Sequence, residues 1–177
     1  MESERLLWVE TPEPGWAPAA LPFLALENTF VSGDPSGKRL SIRYYKREED
    51  GSLRAKVLFG DHAQGPPGHV HGGAMAGIMD EAMGGAAWLA GHPVVAARLE
   101  ITFKEMLSLA SRAVVKAQVT GVEGRKVHTL AFLCDPTETT IFCQATGLFV
   151  VLDRPQLERM PREAAQMVRN AHRTRMD

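Results

Sequence analysis

His71-Gly72-Gly73, followed by the acid Asp80, is the pattern in this chain best suited to chemistry on a carbonyl group. It stands where a Gly- and Pro-dense loop, DHAQGPPGHVHGG (61–73), runs into a nearly all-apolar segment, AMAGIMDEAMGGAAWLA (74–90). The loop needs special backbone angles, and the apolar segment reads as a helix buried on most of its faces. The first amides of a helix lack internal partners and carry partial positive charge. Glycine at 72 and 73 leaves no side chain in the way of a ligand oxygen. The helix start can therefore act as an oxyanion hole for a thioester or an ester. Asp80 lies about 13 Å along the axis from His71 and near the opposite face of the helix. One copy of the helix cannot aim both its amide end and Asp80 at one reacting carbon. Two antiparallel copies from two subunits can, which gives a two-fold dimer with two equivalent shared sites if Asp80 is catalytic. The same residues also have a purely structural reading. A buried Asp can serve a polar neighbour, and His-Gly-Gly can be only a tight turn. The residues alone leave both open. Glu81, about 100° further round the helix, is expected to face an interface or solvent.

Other chemistries find less support. His69 and His71 form an H-x-H pair with His62 nearby, but no third ligand stands at a diagnostic spacing, so no metal is expected. There is no G-x-S-x-G elbow, no phosphate-binding G-x-x-x-x-G-K-[ST] loop and no G-x-G-x-x-G fingerprint, and no cofactor is expected. Cys134 and Cys143 read as small buried apolar residues in a reducing, cytoplasmic compartment. A formal net charge of −1 gives no general attraction to nucleic acid or anionic membrane. The start, MESERLLWVE, does not read as a secretory leader, and Asp80 and Glu81 interrupt the longest apolar stretch too early for a membrane span.

These residues need elements to position them. Residues 1–37, broken by Pro12, Pro14, Pro18 and Pro22, are expected to form an irregular arm packed on the domain, with a short helix near 19–27. The domain proper is expected over 38–153. Residues 39–47 alternate apolar and polar as a half-buried strand does, and 53–59 return as the second arm of a hairpin. After the helix come strand-like stretches at 94–103, 112–122, 126–134 and 140–152. Residues 154–177 are expected to carry a C-terminal helix, with apolar residues at steps of three and four over 156–173. Strands grouped in runs indicate the α+β class, with a sheet curled round one central helix.

GPPGHVHGGAMAGIMDEAMGG resembles the helix-start signature of hotdog-fold acyl-CoA thioesterases, closest to the phenylacetate-pathway-like branch and the thioesterase superfamily members. VEGRK (122–126) and ATGLFVVL (145–152) also resemble that group. The resemblance implies a hotdog fold, an antiparallel sheet of five to six strands wrapped around the helix. It implies acyl-CoA as substrate, cleaved to free acid and coenzyme A by a homodimer or a dimer of dimers. It assigns the Gly72 amide to the thioester oxygen, Asp80 of the other subunit to the role of general base or nucleophile, and His71 to shaping the loop. Gly73 and Gln64 join the substrate-binding set, with Lys104, Arg125 and Lys126 as the cations for the coenzyme phosphates. Met75, Met79 and Met83 either line an acyl tunnel or pack the core. The sequence departs from the family at Gly65, where relatives carry Asn or Gln, at Ala96, where they carry a hydroxyl residue, and at Lys104-Glu105-Met106. The competing activities are an enoyl-CoA hydratase of the same fold and a non-catalytic acyl-CoA binder. Free-thiol release from a panel of acyl-CoAs separates them.

Overall fold

The computed structural model describes residues 2–25, 29–153 and 155–156. Helix α2 (Gly72–Leu89) is the centre of the molecule. It packs against strands β3 (Leu53–Phe59), β4 (Val94–Phe103), β5 (Arg112–Glu123), β6 (Lys126–Cys134) and β7 (Ile141–Val151). Ile78, Met79, Ala82, Met83 and Ala87 have no exposed surface, so this helix has a core on most sides, as its composition requires. Burial of each large side chain here contributes about 1.5–3 kcal/mol. Met75, Met79 and Met83 all belong to that core.

The strands form one antiparallel sheet in the order β1-β2-β3-β5-β6-β7-β4, where β1 is Trp16–Pro18 and β2 is Leu40–Arg47. The sheet curls around α2 in the hotdog arrangement. Its seven strands exceed the five or six expected. The arm supplies the extra one, because Trp16, Ala17 and Pro18 pair with Arg47, Lys46 and Tyr45. Proline is tolerated there because the strand lies at the sheet edge. The opposite edge is β4, ten residues long and mostly exposed.

The arm is more regular than expected. Helix α1 (Glu2–Glu10) replaces irregular chain, and the short helix expected near 19–27 is a 3-10 turn over Pro22–Ala25. Glu4, in the first turn of α1, suits the helix dipole. The helix covers the outer face of β2 and β3, where Val9 is buried and its carbonyl accepts 2.6 Å from the Tyr45 hydroxyl. Under it lies Lys56, 2% exposed, with Nζ 2.6 Å from the Thr11 carbonyl, 2.5 Å from the Glu13 carboxylate and 4.9 Å from the centre of the Trp8 ring. This cover explains why β3 is buried on both faces. Of the expected C-terminal helix, only 155–156 fall among the described residues, and both are helical. No helix among the described residues is long and apolar enough to cross a membrane.

Candidate active site

The loop before α2 is tied down at each step. Gly65 N–H donates to the His69 carbonyl and His69 N–H to the Pro66 carbonyl, both at 2.9 Å, and His71 N–H donates to the Ala63 carbonyl at 2.8 Å. Gln64 Oε1 accepts from Gly68 N–H at 3.1 Å. The fold is so tight that a Cβ on Gly65 would lie 2.8 Å from the His71 Cα. A larger residue at 65 would clash with backbone, which accounts for glycine at that position. Gln64 thus closes the loop with its side-chain oxygen.

His71 is the N-cap of α2, with φ −66° and ψ 136°. Its Nδ1 accepts the Gly73 N–H at 2.8 Å, which makes Nδ1 the unprotonated nitrogen. This corrects one expectation. Gly73 N–H is not an open donor, because the imidazole already occupies it. Gly72 N–H, one residue earlier, has no acceptor among the described residues. The Phe103 ring of β4 lies beside Gly72, 3.4 Å from where its Cβ would stand.

Asp80 lies about 12 Å further along α2. It is half-buried and has no hydrogen bond or ion pair among the described residues. Burial holds its carboxyl above the ordinary value. It lines a cavity of about 420 Å³ with Phe23, Phe30, Trp88, Ala96 and Phe149. Ala96 puts a methyl group in this cavity, without a hydroxyl. Glu81, next to Asp80, is half-buried and lies against Tyr44. It accepts 2.7 Å from the buried Tyr44 hydroxyl and also from the side chain and N–H of Ser32. Burial raises its carboxyl, and those hydrogen bonds oppose the rise. A carboxylate with three donors is an anchor, and the unbonded Asp80 is the one free to take a proton.

The remaining candidates divide. Lys104 and Lys126 are exposed at opposite ends of the β4–β7–β6 region. Arg125 is already engaged. Its Nε and Nη2 donate to the Val151 carbonyl at 3.0 and 2.9 Å, Nη2 also reaches Gln156 Oε1, and Nη1 lies 3.2 Å from Asp153. It ties down the end of β7, which leaves little of its guanidinium for a phosphate. His69 Nδ1 bonds the Pro67 carbonyl, and the described residues contain no cluster suited to a metal. Burial pushes the Cys134 and Cys143 thiols up to about 11 and about 12, so neither is a thiolate at neutral pH. Phe30, Ser32 and Tyr44 escaped sequence reasoning because they meet α2 from far away in the chain. The one local signal was Gly77, whose missing side chain admits Phe30.

This chain is similar to several known proteins. The acyl-coenzyme A thioesterase THEM4 of Bos taurus is 36% identical over 132 residues, 73% of this chain and 54% of that protein. The protein of the same name from Rattus norvegicus is 43% identical over 119 residues, 66% of this chain and 50% of that one. The chain thus spans about half the length of the curated relatives it matches. A solved thioesterase superfamily protein, 29% identical, superposes with a TM-score of 0.58 over 62% of this chain and 53% of its own. The thioesterase superfamily model matches residues 67–141, from the loop before α2 to the first residue of β7, so this segment of the chain is similar to the thioesterase superfamily.

Proposed function

We propose that the chain hydrolyses the thioester of an acyl-CoA to a free acid and coenzyme A, at sites shared between two copies. The observation that carries this is the pairing, on one helix, of an open Gly72 amide with an unbonded, half-buried Asp80 carboxylate about 12 Å away. The similarity to acyl-CoA thioesterases supports it.

The sheet edge suggests how two copies meet. Gly72 lies beside Phe103, at one end of β4, and Asp80 shares a cavity with Val94, Val95 and Ala96, at the other end. Antiparallel pairing of two β4 edges about a two-fold axis brings the Phe103 end of one copy to the Val94 end of the other. The partner's Gly72 is then carried toward Asp80. Val95 and Phe103, 45% and 50% exposed, become covered. An unpaired ten-residue edge with apolar side chains invites such pairing.

In the reaction, Asp80 takes one proton from water as the water oxygen attacks the thioester carbon. The partner's Gly72 N–H holds the oxyanion that forms. The C–S bond then breaks, its electron pair leaves with sulfur, and the sulfur takes the proton to give the free thiol. A second route has Asp80 attack the carbon itself: the C–S bond breaks, the thiolate leaves and takes a proton from solvent as a mixed anhydride forms, and water then opens the anhydride to the free acid and the Asp80 carboxylate. Label on Asp80 after single turnover in ¹⁸O-water would select the anhydride route, since only hydrolysis of the anhydride at its aspartyl carbonyl labels Asp80. Exposed Lys104 and Lys126 are proposed to meet the coenzyme phosphates, and the two buried free thiols fit a reducing, cytoplasmic compartment. The test is thiol release from a panel of acyl-CoAs, with Asp80→Asn as control. Ala96 favours the binder reading, since no hydroxyl stands there to position water. Binding of acyl-CoA without thiol release would select that reading over hydrolysis.

A further inference from the structure

The arm sends a tight turn, residues 29–33, across α2 between the helix start and Asp80. Thr29 Oγ1 and Ser32 Oγ lie 3.0 Å apart, and a Cβ on Gly33 would sit 2.1 Å from the Thr29 nitrogen. Val31 is buried, and Ser32 is bonded to Glu81, itself held by Tyr44. Just beyond, the Asp34 carboxylate accepts from the N–H groups of Arg39 at 2.7 Å and Leu40 at 3.2 Å. The base of the turn is therefore fixed from several sides. Its tip presents Phe30, 72% exposed. A fixed turn that holds an uncovered aromatic ring is built to meet an apolar surface.

The position of the ring identifies that surface. Its Cε1 lies 3.2 Å from where a Gly77 Cβ would be, and the Arg39 guanidinium lies 5.4 Å from its centre. Gly77 is three residues before Asp80, so the ring lies on nearly the same side of α2 as the carboxylate. Phe30 and Val31 line two cavities. One, of about 390 Å³, includes His71, Gly73 and Ala74; the other, of about 420 Å³, holds Asp80. The two residues form the wall between them.

We infer that Phe30 ends the acyl-binding cavity beside Asp80 and so sets the length of acyl chain accepted. The inference rests on the thioester reading above. With the thioester carbon at Asp80, the acyl tail runs into a cavity with aromatic walls and stops against the Phe30 ring. Ser32, Glu81 and Tyr44 act as positioning residues for that stop. A smaller residue at 30 lengthens the cavity beside Asp80 and leaves Val31 as the remaining wall.

The test uses straight-chain acyl-CoAs of increasing length with wild type, Phe30→Ala and Phe30→Trp. Both kcat/KM for thiol release and affinity for non-hydrolysable thioether analogues are measured. Phe30→Ala is expected to move both optima to longer chains, gaining about four-fold per added methylene beyond the wild-type limit. Phe30→Trp is expected to move them to shorter chains. Because Phe30 is mostly exposed, the alanine variant should melt as wild type does. A wild type that releases no thiol, with the length shift seen in analogue affinity, supports the chain-length role and defeats the hydrolysis reading. Hydrolysis with identical length profiles in all three proteins overturns the chain-length role alone. No binding of any analogue by wild type overturns both. A change in molecular mass of Phe30→Ala by light scattering would assign the ring to a subunit interface and also overturn the role.

Discussion

Burial holds the Asp80 carboxyl above its ordinary value, with no hydrogen bond or cation among the described residues to offset it. The folded chain therefore binds this proton more tightly than the unfolded chain does. Stability from that proton is fully present below the ordinary carboxylate value and is lost as pH rises through the folded value. Asp80→Asn carries no such loss. Its melting temperature is expected to gain on wild type as pH rises through this window and then hold a constant lead. Thiol release by the same variant should fall about 100-fold or more. In wild type, activity should rise with pH through a value above that of an ordinary Asp. A variant that melts lower and keeps its activity would assign Asp80 to structure. His71→Ala removes the acceptor of the Gly73 N–H and should lower unfolding free energy by about 1 kcal/mol, read by urea denaturation. His71, Gly72 and Asp80 were legible because helix-start chemistry is local in sequence. The loss of Gly73 N–H to the imidazole was not, since it depends on a side-chain rotamer. The capture of Arg125 by Val151 and Asp153 depends on strand pairing 26 residues away.

Among the elements, α2 and strands β2 to β7 were readable almost to their ends, because period and turn residues agree along those stretches. β1 and α1 were not. The prolines of 1–37 obscured a helix that ends before the first of them, and α1 buries Val9 while Leu6 and Leu7 stay exposed, so no clear apolar stripe marks it. What fixes α1 is Lys56 on β3, a residue whose role needs the fold to be seen. Lys56→Ala should destabilise the chain by about 1–3 kcal/mol, below the usual loss for a broken buried pair, because Glu13 is 49% exposed and can rehydrate. Amide exchange in α1 should speed up more than in α2. Equal change in both helices would show that Lys56 supports the whole core instead of the arm.

Over the whole molecule, the two groups proposed to react lie on one helix yet need two copies to meet. That requirement was legible from helix geometry alone, whereas the edge proposed to bring them together was not, since β4 could have been an interior strand. Val95→Asp places a charge on that edge and should halve the molecular mass seen by light scattering while abolishing thiol release. Full activity in a monomer would refute shared sites.

The most direct measurement is complementation between two inactive chains. Gly72→Pro removes the amide hydrogen and adds a ring whose Cβ would lie 3.4 Å from the Phe103 ring, within ordinary contact. Proline is favoured at the first helical position, and His71 already has the extended backbone that a following proline requires. Paired with Asp80→Asn in a purified mixed dimer, it leaves one site with both native groups and one with neither. Each parent should be inactive, and the mixed dimer should recover about half the wild-type turnover. A mixed dimer as inactive as its parents, or a parent that keeps full turnover, would contradict the sharing of Gly72 and Asp80 between subunits.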